Sequence, residues 1–439
     1  MPEIRAFRAL RYNPDAVPDL ARVVAPPYDV ISPAQRAVLA ARDPRNVVAI
    51  DLPVDLPGAT DPDDKYRAAA RTFARWRSDG TLSKDPRPAL YVYEQAYTPP
   101  GSGARRTQRS FYARVKLEAF GPGSGILPHE RTLRGPREDR HKLMRASGAN
   151  FSGVMGLYSD SSGAASRLLA DAAAGGAIAD VTDEDGVQHR LWMLPDDGPT
   201  AAAVATLREA AGRDPITIAD GHHRYETALR YRDERRLTSS QEEDPAFDYL
   251  LMLLLETGGG SLTVFPTHRV ARGLADGAGL LTTAHALFDV EPADAATLAR
   301  EFGPAALAPG GAGRFGLWTR AGGAILTARR EAFGAFLPAG GDALRRLDVT
   351  LLAAALEQLG GIDRAATASG GRVAYTKSAA EAMAWVDGAV DGADAAFLLE
   401  PTPVAEIVAV AAAGDVMPQK STYFYPKPLS GFVINPLEW

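Results

Sequence analysis

Residues Ile216-Thr-Ile-Ala-Asp-Gly-His-His-Arg-Tyr225 commit the chain to a strand that turns sharply into a helix. Ile216 and Ile218 alternate with smaller residues as a strand does, Gly221 permits a tight turn, and Tyr225, Ala228, Leu229 and Arg232 recur at helical spacing. The first N–H groups of that helix lack intrahelical partners and sit at the positive end of its dipole, so an anion is favoured there. Arg224 would add a two-pronged donor for phosphate or carboxylate. A solvated surface turn is the plainer alternative, but it leaves two adjacent histidines beside an acid without a purpose.

The flanking segments supply both kinds of element. Ser32-Pro33 reads as a helix start, Asn46–Leu52 as a buried strand, and Lys65–Asp79 as a helix with Ala69, Phe73 and Trp76 on its apolar face. Ala89–Glu94 and Arg109–Leu117 read as strands that pair antiparallel. Gly135–Met144 is a helix with Pro136 in its first turn, and Asn150–Tyr158 a strand. An Ala-rich helix, a hairpin at Asp185-Gly186 and a second helix fill 160–210. Asp248–Glu256 is a buried element that ends at a flexible joint, Gly258-Gly-Gly260. Ala396–Glu400 is a strand, and Pro403–Ala413 a helix stopped by Gly414. This order predicts an α+β or mixed α/β fold with a motif-bearing core over 1–260. An Ala- and Gly-rich packing or insertion domain follows over 261–395, in which His285 is a core or surface histidine. The segment 396–439 returns to the cleft.

Composition removes whole classes of function. With 439 residues, 46% hydrophobic and 23% charged, the chain can bury a sizeable core. A formal net charge of −6 argues against a dedicated nucleic-acid binder. No stretch has the length and purity of a membrane span, and Met1–Phe7 lacks a signal-peptide core, so a cytoplasmic location is the default. Cysteine is absent, which excludes disulfides, thiolate nucleophiles, cysteine-type zinc sites and iron–sulfur ligation. Chemistry therefore rests on oxygen and nitrogen groups. Of the 48 Lys and Arg residues only 7 are lysines, so each lysine carries unusual weight.

Two further segments are dense in such groups. Ile126-Leu-Pro-His-Glu-Arg-Thr132 sets His129, Glu130 and Arg131 at the end of a short apolar run; an ion pair of Glu130 with Arg131 or Arg134 is the structural alternative to a functional role. Met417-Pro-Gln-Lys-Ser-Thr-Tyr-Phe-Tyr-Pro-Lys-Pro428 is a proline-bracketed loop carrying Lys420, Ser421, Thr422, Tyr423 and Lys427. It is not a Walker A loop, because the upstream glycine spacing is missing.

Together with Ala25-Pro-Pro-Tyr-Asp-Val30, these motifs make nearly the whole chain resemble the bacterial and archaeal family known as domain of unknown function 1015. The Asp220-Gly-His-His-Arg224 stretch is in addition similar to the phosphate-handling motif of the ParB, sulfiredoxin and free-serine-kinase superfamily. That likeness implies a ParB-like phosphate-binding core. Sulfiredoxin chemistry needs a cysteine that this chain lacks, and no helix-turn-helix or basic surface supports a segregation role. The serine-kinase branch implies a phosphotransferase of serine metabolism, using ATP, ADP or pyrophosphate and Mg²⁺.

On that reading, Gly221, His222, His223, Arg224, Lys420, Ser421 and Thr422 hold phosphate or nucleotide. Glu130, His129, Asp220 and His223 are the catalytic candidates, with Glu130 as general base and Asp220 as an orienting group or metal ligand. Arg131, Tyr225, Tyr423 and Lys427 are expected to contact a small-molecule substrate. Arg224→Ala should weaken anion binding with folding intact. Two alternatives stay open: a phosphatase of a small phosphoester such as phosphoserine, and a nucleotide-binding regulatory protein without turnover.

Overall fold

Alternating side chains in Ala89–Tyr97 and Arg106–Lys116 build a long antiparallel pair, with Val92 opposite Phe111 and Tyr91 opposite Tyr112. The computed structural model describes residues 1–132, 134–239, 243–258, 262–274, 279–303, 313–368 and 370–439. Leu90 and Val92 pack with Val204 and Leu207 of the helix Ala201–Gly212, whereas Tyr91 and Tyr93 enter a second apolar cluster on the opposite face. Both faces are covered, which is why a strand of alternating character is buried along its full length.

These strands belong to a mixed nine-stranded sheet. Tyr249–Glu256, with leucine at 250, 251, 253, 254 and 255, lies antiparallel to Arg106–Lys116 on one side and parallel to Val154–Tyr158 on the other. Full burial of each leucine there stabilises the sheet by about 1.5–3 kcal/mol. Next come Val154–Tyr158, then Ile216–Asp220, then Ile126–Leu127, the last two parallel to each other. A side chain at Gly156 would meet Ile216 and Met252 at 2.7 Å, so glycine lets these strands close up. The two motif-bearing strands therefore run side by side and release His129-Glu130 and Asp220-Gly221-His222 at the same edge.

A second sheet of six strands takes the spatial order Phe288–Ala293, Gly322–Ala328, Arg314–Thr319, Ala393–Leu398, His268–Arg272 and Val373–Thr376, antiparallel throughout. One apolar cluster runs from Tyr93 and Leu253 of the first sheet, through Met417 and Phe424, to Leu351 and Phe397 beside the second. The chain then returns to the first unit: Asn435–Pro436 pairs with Ala149–Asn150, and the buried Arg114 donates to Asn435 Oδ1 at 2.7 Å. Among the described residues no helix is long and apolar enough to cross a membrane.

Some sequence expectations need correction. Asn46–Leu52 is not a strand; Val48–Asp51 is helical, because Asn46 Oδ1 accepts the Val48 N–H while its Nδ2 donates to the Arg22 and Val24 carbonyls, fixing a turn. The expected strand Asn150–Tyr158 is split, since Phe151 leaves the sheet to pack edge-on against Phe73. The boundary expected at 395 falls inside the strand Ala393–Leu398. Gly259 and Gly260, and with them the boundary at 260, lie outside the described residues. His285 is exposed.

Candidate active site

His129 and His222 meet edge to face with ring centroids 4.6 Å apart. The His129 N–H donates to His222 Nε2 at 3.3 Å, His129 Nδ1 lies 2.5 Å from the Ile218 carbonyl, and its Nε2 lies 3.2 Å from Thr422 Oγ1. A carbonyl only accepts, so Nδ1 of His129 carries the proton and Nε2 accepts from Thr422; on His222 the proton sits on Nδ1. Burial pushes His129 down to about 4, and burial together with His129 pushes His222 further below its usual value. Both rings are neutral at pH 7. They connect the two strand ends to the C-terminal loop but bring no charge to a phosphate.

Gly221 is in the left-handed region at φ 93°, and a Cβ there would meet Arg224 Nε at 2.9 Å. Arg224 folds back over this turn, donates to the Gly153 carbonyl and lies 3.6 Å from Asp220 Oδ2. It is only 6% exposed. Its fork is turned inward, against the expectation of an open phosphate grip. Lys427 Nζ donates to the same Asp220 oxygen at 3.1 Å. Burial opposes ionisation of Asp220, but Lys427 and Arg224 outweigh it and hold the carboxyl well below the usual range. Asp220 is thus an anion paired with two cations.

Glu130 bridges to Met417, whose N–H donates to the His129 carbonyl at 2.8 Å. Lys420 adopts φ 57° and turns its backbone N–H to Glu130 Oε1 at 3.2 Å. Burial raises Glu130 to about 7 despite Lys420 and Lys427, an affinity suited to a base working near neutrality. The side chain of Arg134, a partner considered for Glu130, lies outside the described residues. His223 is half-buried, with burial lowering its proton affinity and Glu226, Asp29 and Lys420 acting on it.

The loop also delivers Tyr423, whose ring lies 4.5 Å from Lys427 Nζ and 4.0 Å from Lys377 Nζ. Lys377 comes from the second unit and was missed in the sequence, although the scarcity of lysine was a signal that applied to it. Tyr28 and Asp29 were also missed: Tyr28 stacks under Arg140 at 4.0 Å, and Asp29 is exposed, acting on His223 and Arg224. Beside the cluster, a groove of about 430 Å³ opens between the helix Pro33–Arg42 and the Asp183–Asp185 turn, lined by Ala25, Pro26, Leu39 and Leu429. Asp185 on its rim acts on both Lys377 and Tyr423.

His129, Glu130, Asp220, Gly221, His222, His223, Arg224, Lys420, Thr422, Tyr423 and Lys427 are thus brought together, Arg224 with its fork turned inward. Three expected residues are not. Tyr225 is fully buried, stacked on Phe120 and exchanging hydrogen bonds with the Glu118 backbone, because it lies on the core-facing side of its helix. Ser421 is buried and donates to the Pro418 carbonyl. Arg131 is exposed, beside Pro338 and Glu357 of the second unit.

A profile of the family described as "Protein of unknown function (DUF1015)" matches residues 4–350. The chain belongs to the DUF1015 family. No curated protein matches this family member. It is similar to the solved structure of a conserved hypothetical protein from Pyrococcus furiosus, at 12% identity and TM-score 0.35, over 71% of this chain and 92% of that one. It is similar to a free serine kinase in complex with AMP, at 11% identity and TM-score 0.36, over 72% and 88%. A C-terminally truncated SbnI from Staphylococcus aureus aligns at 13% identity and TM-score 0.35, over 71% and 84%.

Proposed function

We propose that this DUF1015 chain is a phosphotransferase acting on the hydroxyl of a small metabolite, with L-serine as the first acceptor to test. The observation that carries the reading is Glu130, a carboxyl held near pH 7 against a loop that also brings Lys420 and Lys427. Glu130 takes the proton of the hydroxyl as its oxygen attacks the terminal phosphorus of the donor; the new P–O bond forms while the bond to the leaving phosphate breaks. Lys420, Lys427 and the positive end of the helix His222–Thr238 hold the phosphate oxygens. The groove beside Ala25 and Pro26 offers an apolar wall to the base of a nucleotide donor.

Mg²⁺ commonly binds through one or two carboxylates plus substrate phosphates, and when bound it supplies charge neutralisation at the bridging oxygens. Asp29, exposed and acting on His223 and Tyr423, would share it with a donor; Asp220 is already neutralised by Lys427 and Arg224. A cytoplasmic location fits the same reading. Incubation with serine and, in turn, ATP, ADP and pyrophosphate, with and without Mg²⁺, should yield phosphoserine. Tight nucleotide binding without product from any donor would replace this reading with a regulatory one.

A further inference from the structure

Arg269 is 2% exposed, and no carboxylate lies within ion-pair distance of it among the described residues. Its Nη1 lacks an aligned hydrogen-bond partner. Guanidinium does not give up its proton in proteins, so a buried one retains its charge and normally has an anion beside it. Other buried arginines are compensated: Arg140 has Asp51 and Asp139, Arg224 has Asp220, and Arg114 is met by Asn435 Oδ1 and the Pro436 and Glu438 carbonyls. Arg269 has no such carboxylate, and its Nη1 is left over.

The register of the second sheet shows where this charge faces. Arg269 lies directly opposite Tyr375 on one side and Phe397 on the other, while Ala271 lies opposite Val373 and Ala395. Ala271, Val373, Ala395 and Phe397 all belong to the apolar cluster shared with the first unit. Val270, Ala396 and Leu398 belong to a cluster on the outer face. By the two-residue period of a strand, Arg269 and Tyr375 point toward the first unit. Two hydroxyls share this neighbourhood: Tyr375 faces the Arg269 guanidinium, whose carbon lies 6.0 Å from its ring centroid, and Thr267 Oγ1 has no partner among the described residues. Tyr375 interacts electrostatically with both Arg269 and Glu130, and two residues beyond it Lys377 reaches Tyr423.

We infer that Arg269, with Tyr375 and Lys377, forms an oxyanion subsite that the second unit adds to the cleft, and that it takes the carboxylate of an amino-acid acceptor. The planar guanidinium suits a carboxylate held by two parallel bonds. Tyr375 feels both Arg269 and Glu130, so a carboxylate on Arg269 leaves the hydroxyl of the same small molecule within reach of the base. Donor phosphates have their own cations in Lys420 and Lys427. The existence of the subsite stands on Arg269 alone; the identity of its ligand rests on the phosphotransferase reading.

The test uses the full chain and two variants, Arg269→Met and Tyr375→Phe, with L-serine, ethanolamine and inorganic phosphate as probes in calorimetry and thermal unfolding. Wild type should bind serine at least about 30-fold more tightly than ethanolamine, which lacks the carboxylate. Arg269→Met should abolish that preference and, in anion-free buffer, unfold at a temperature no lower than wild type, because an uncompensated buried charge has gone. Tyr375→Phe should weaken serine binding several-fold without loss of stability, which keeps the inference testable should Arg269→Met fail to fold. Loss of phosphate binding alone in Arg269→Met would assign the subsite to phosphate and overturn the carboxylate. Unchanged binding of serine and phosphate in both variants, or no binding to wild type, would overturn the subsite. Serine binding that depends on Arg269, without phosphoserine from any donor, would instead sink the transfer reading.

Discussion

Glu130 and Lys420 stand 290 positions apart, yet the backbone N–H of Lys420 donates to Glu130 Oε1 at 3.2 Å. The contact follows from two parallel strand ends meeting one loop, and it defines the first variant to make. Glu130→Gln should preserve nucleotide binding and lower turnover by about 100-fold or more. Wild-type turnover should rise with pH through about 7 as Glu130 ionises. The raised carboxyl also means that the folded state holds a proton the unfolded state releases. Glu130 therefore costs stability as pH rises from about 4.5 to 7, and Glu130→Gln should be more stable than wild type at pH 8, on the order of 1–3 kcal/mol. A variant with full activity in every assay would remove Glu130 from the mechanism.

Arg224→Ala should cost about 3 kcal/mol of folding stability, because it leaves Gly153 and Asp220 without the buried guanidinium between them. Urea denaturation reads this directly. An unchanged midpoint, combined with weakened phosphate binding, would restore the open-fork role expected from the sequence.

His129 holds its proton less tightly when folded, so the unfolded state binds more protons between about pH 4 and 6.5. Stability from this group is present above 6.5 and is lost as pH falls through that window, at up to about 1.4 kcal/mol per pH unit. His129→Gln should flatten the acid limb of the stability profile. NMR titration that finds the His129 ring charging near 6.5 would contradict its neutral state.

Gly221→Ala forces a side chain into the left-handed region and against Arg224. The expected cost is about 1–3 kcal/mol, seen as a lower unfolding temperature together with weaker phosphate binding, since the helix start is displaced.

The strand-turn-helix at Ile216–Thr238 was legible because its period changes sharply at one glycine, and the long pair at Ala89–Lys116 because alternation persists over many residues. Val48–Asp51 was illegible because an apolar run buried in a helix looks like one buried in a strand, and Asn46 decides between them through partners distant in sequence. At the site, motif density located the three segments. It could not show that Arg224 and Tyr225 face inward, since orientation depends on the rotation of the helix against the sheet. Arg269 and Tyr375 gave no local signal, because single residues in an Ala- and Gly-rich stretch acquire meaning only through cross-strand register, and the scarcity of lysine marked Lys377 without giving it a place.

The unbroken apolar cluster joining the two sheets limits how this molecule can breathe. Swinging one unit away from the other would strip Leu253, Phe397 and Leu351 of their neighbours and wet them together. Met417 and Phe424 tie the C-terminal loop into the same cluster, so ligand entry and departure fall to small displacements of the lysine ammoniums around Tyr423. A gate of that size opens without unpacking either sheet.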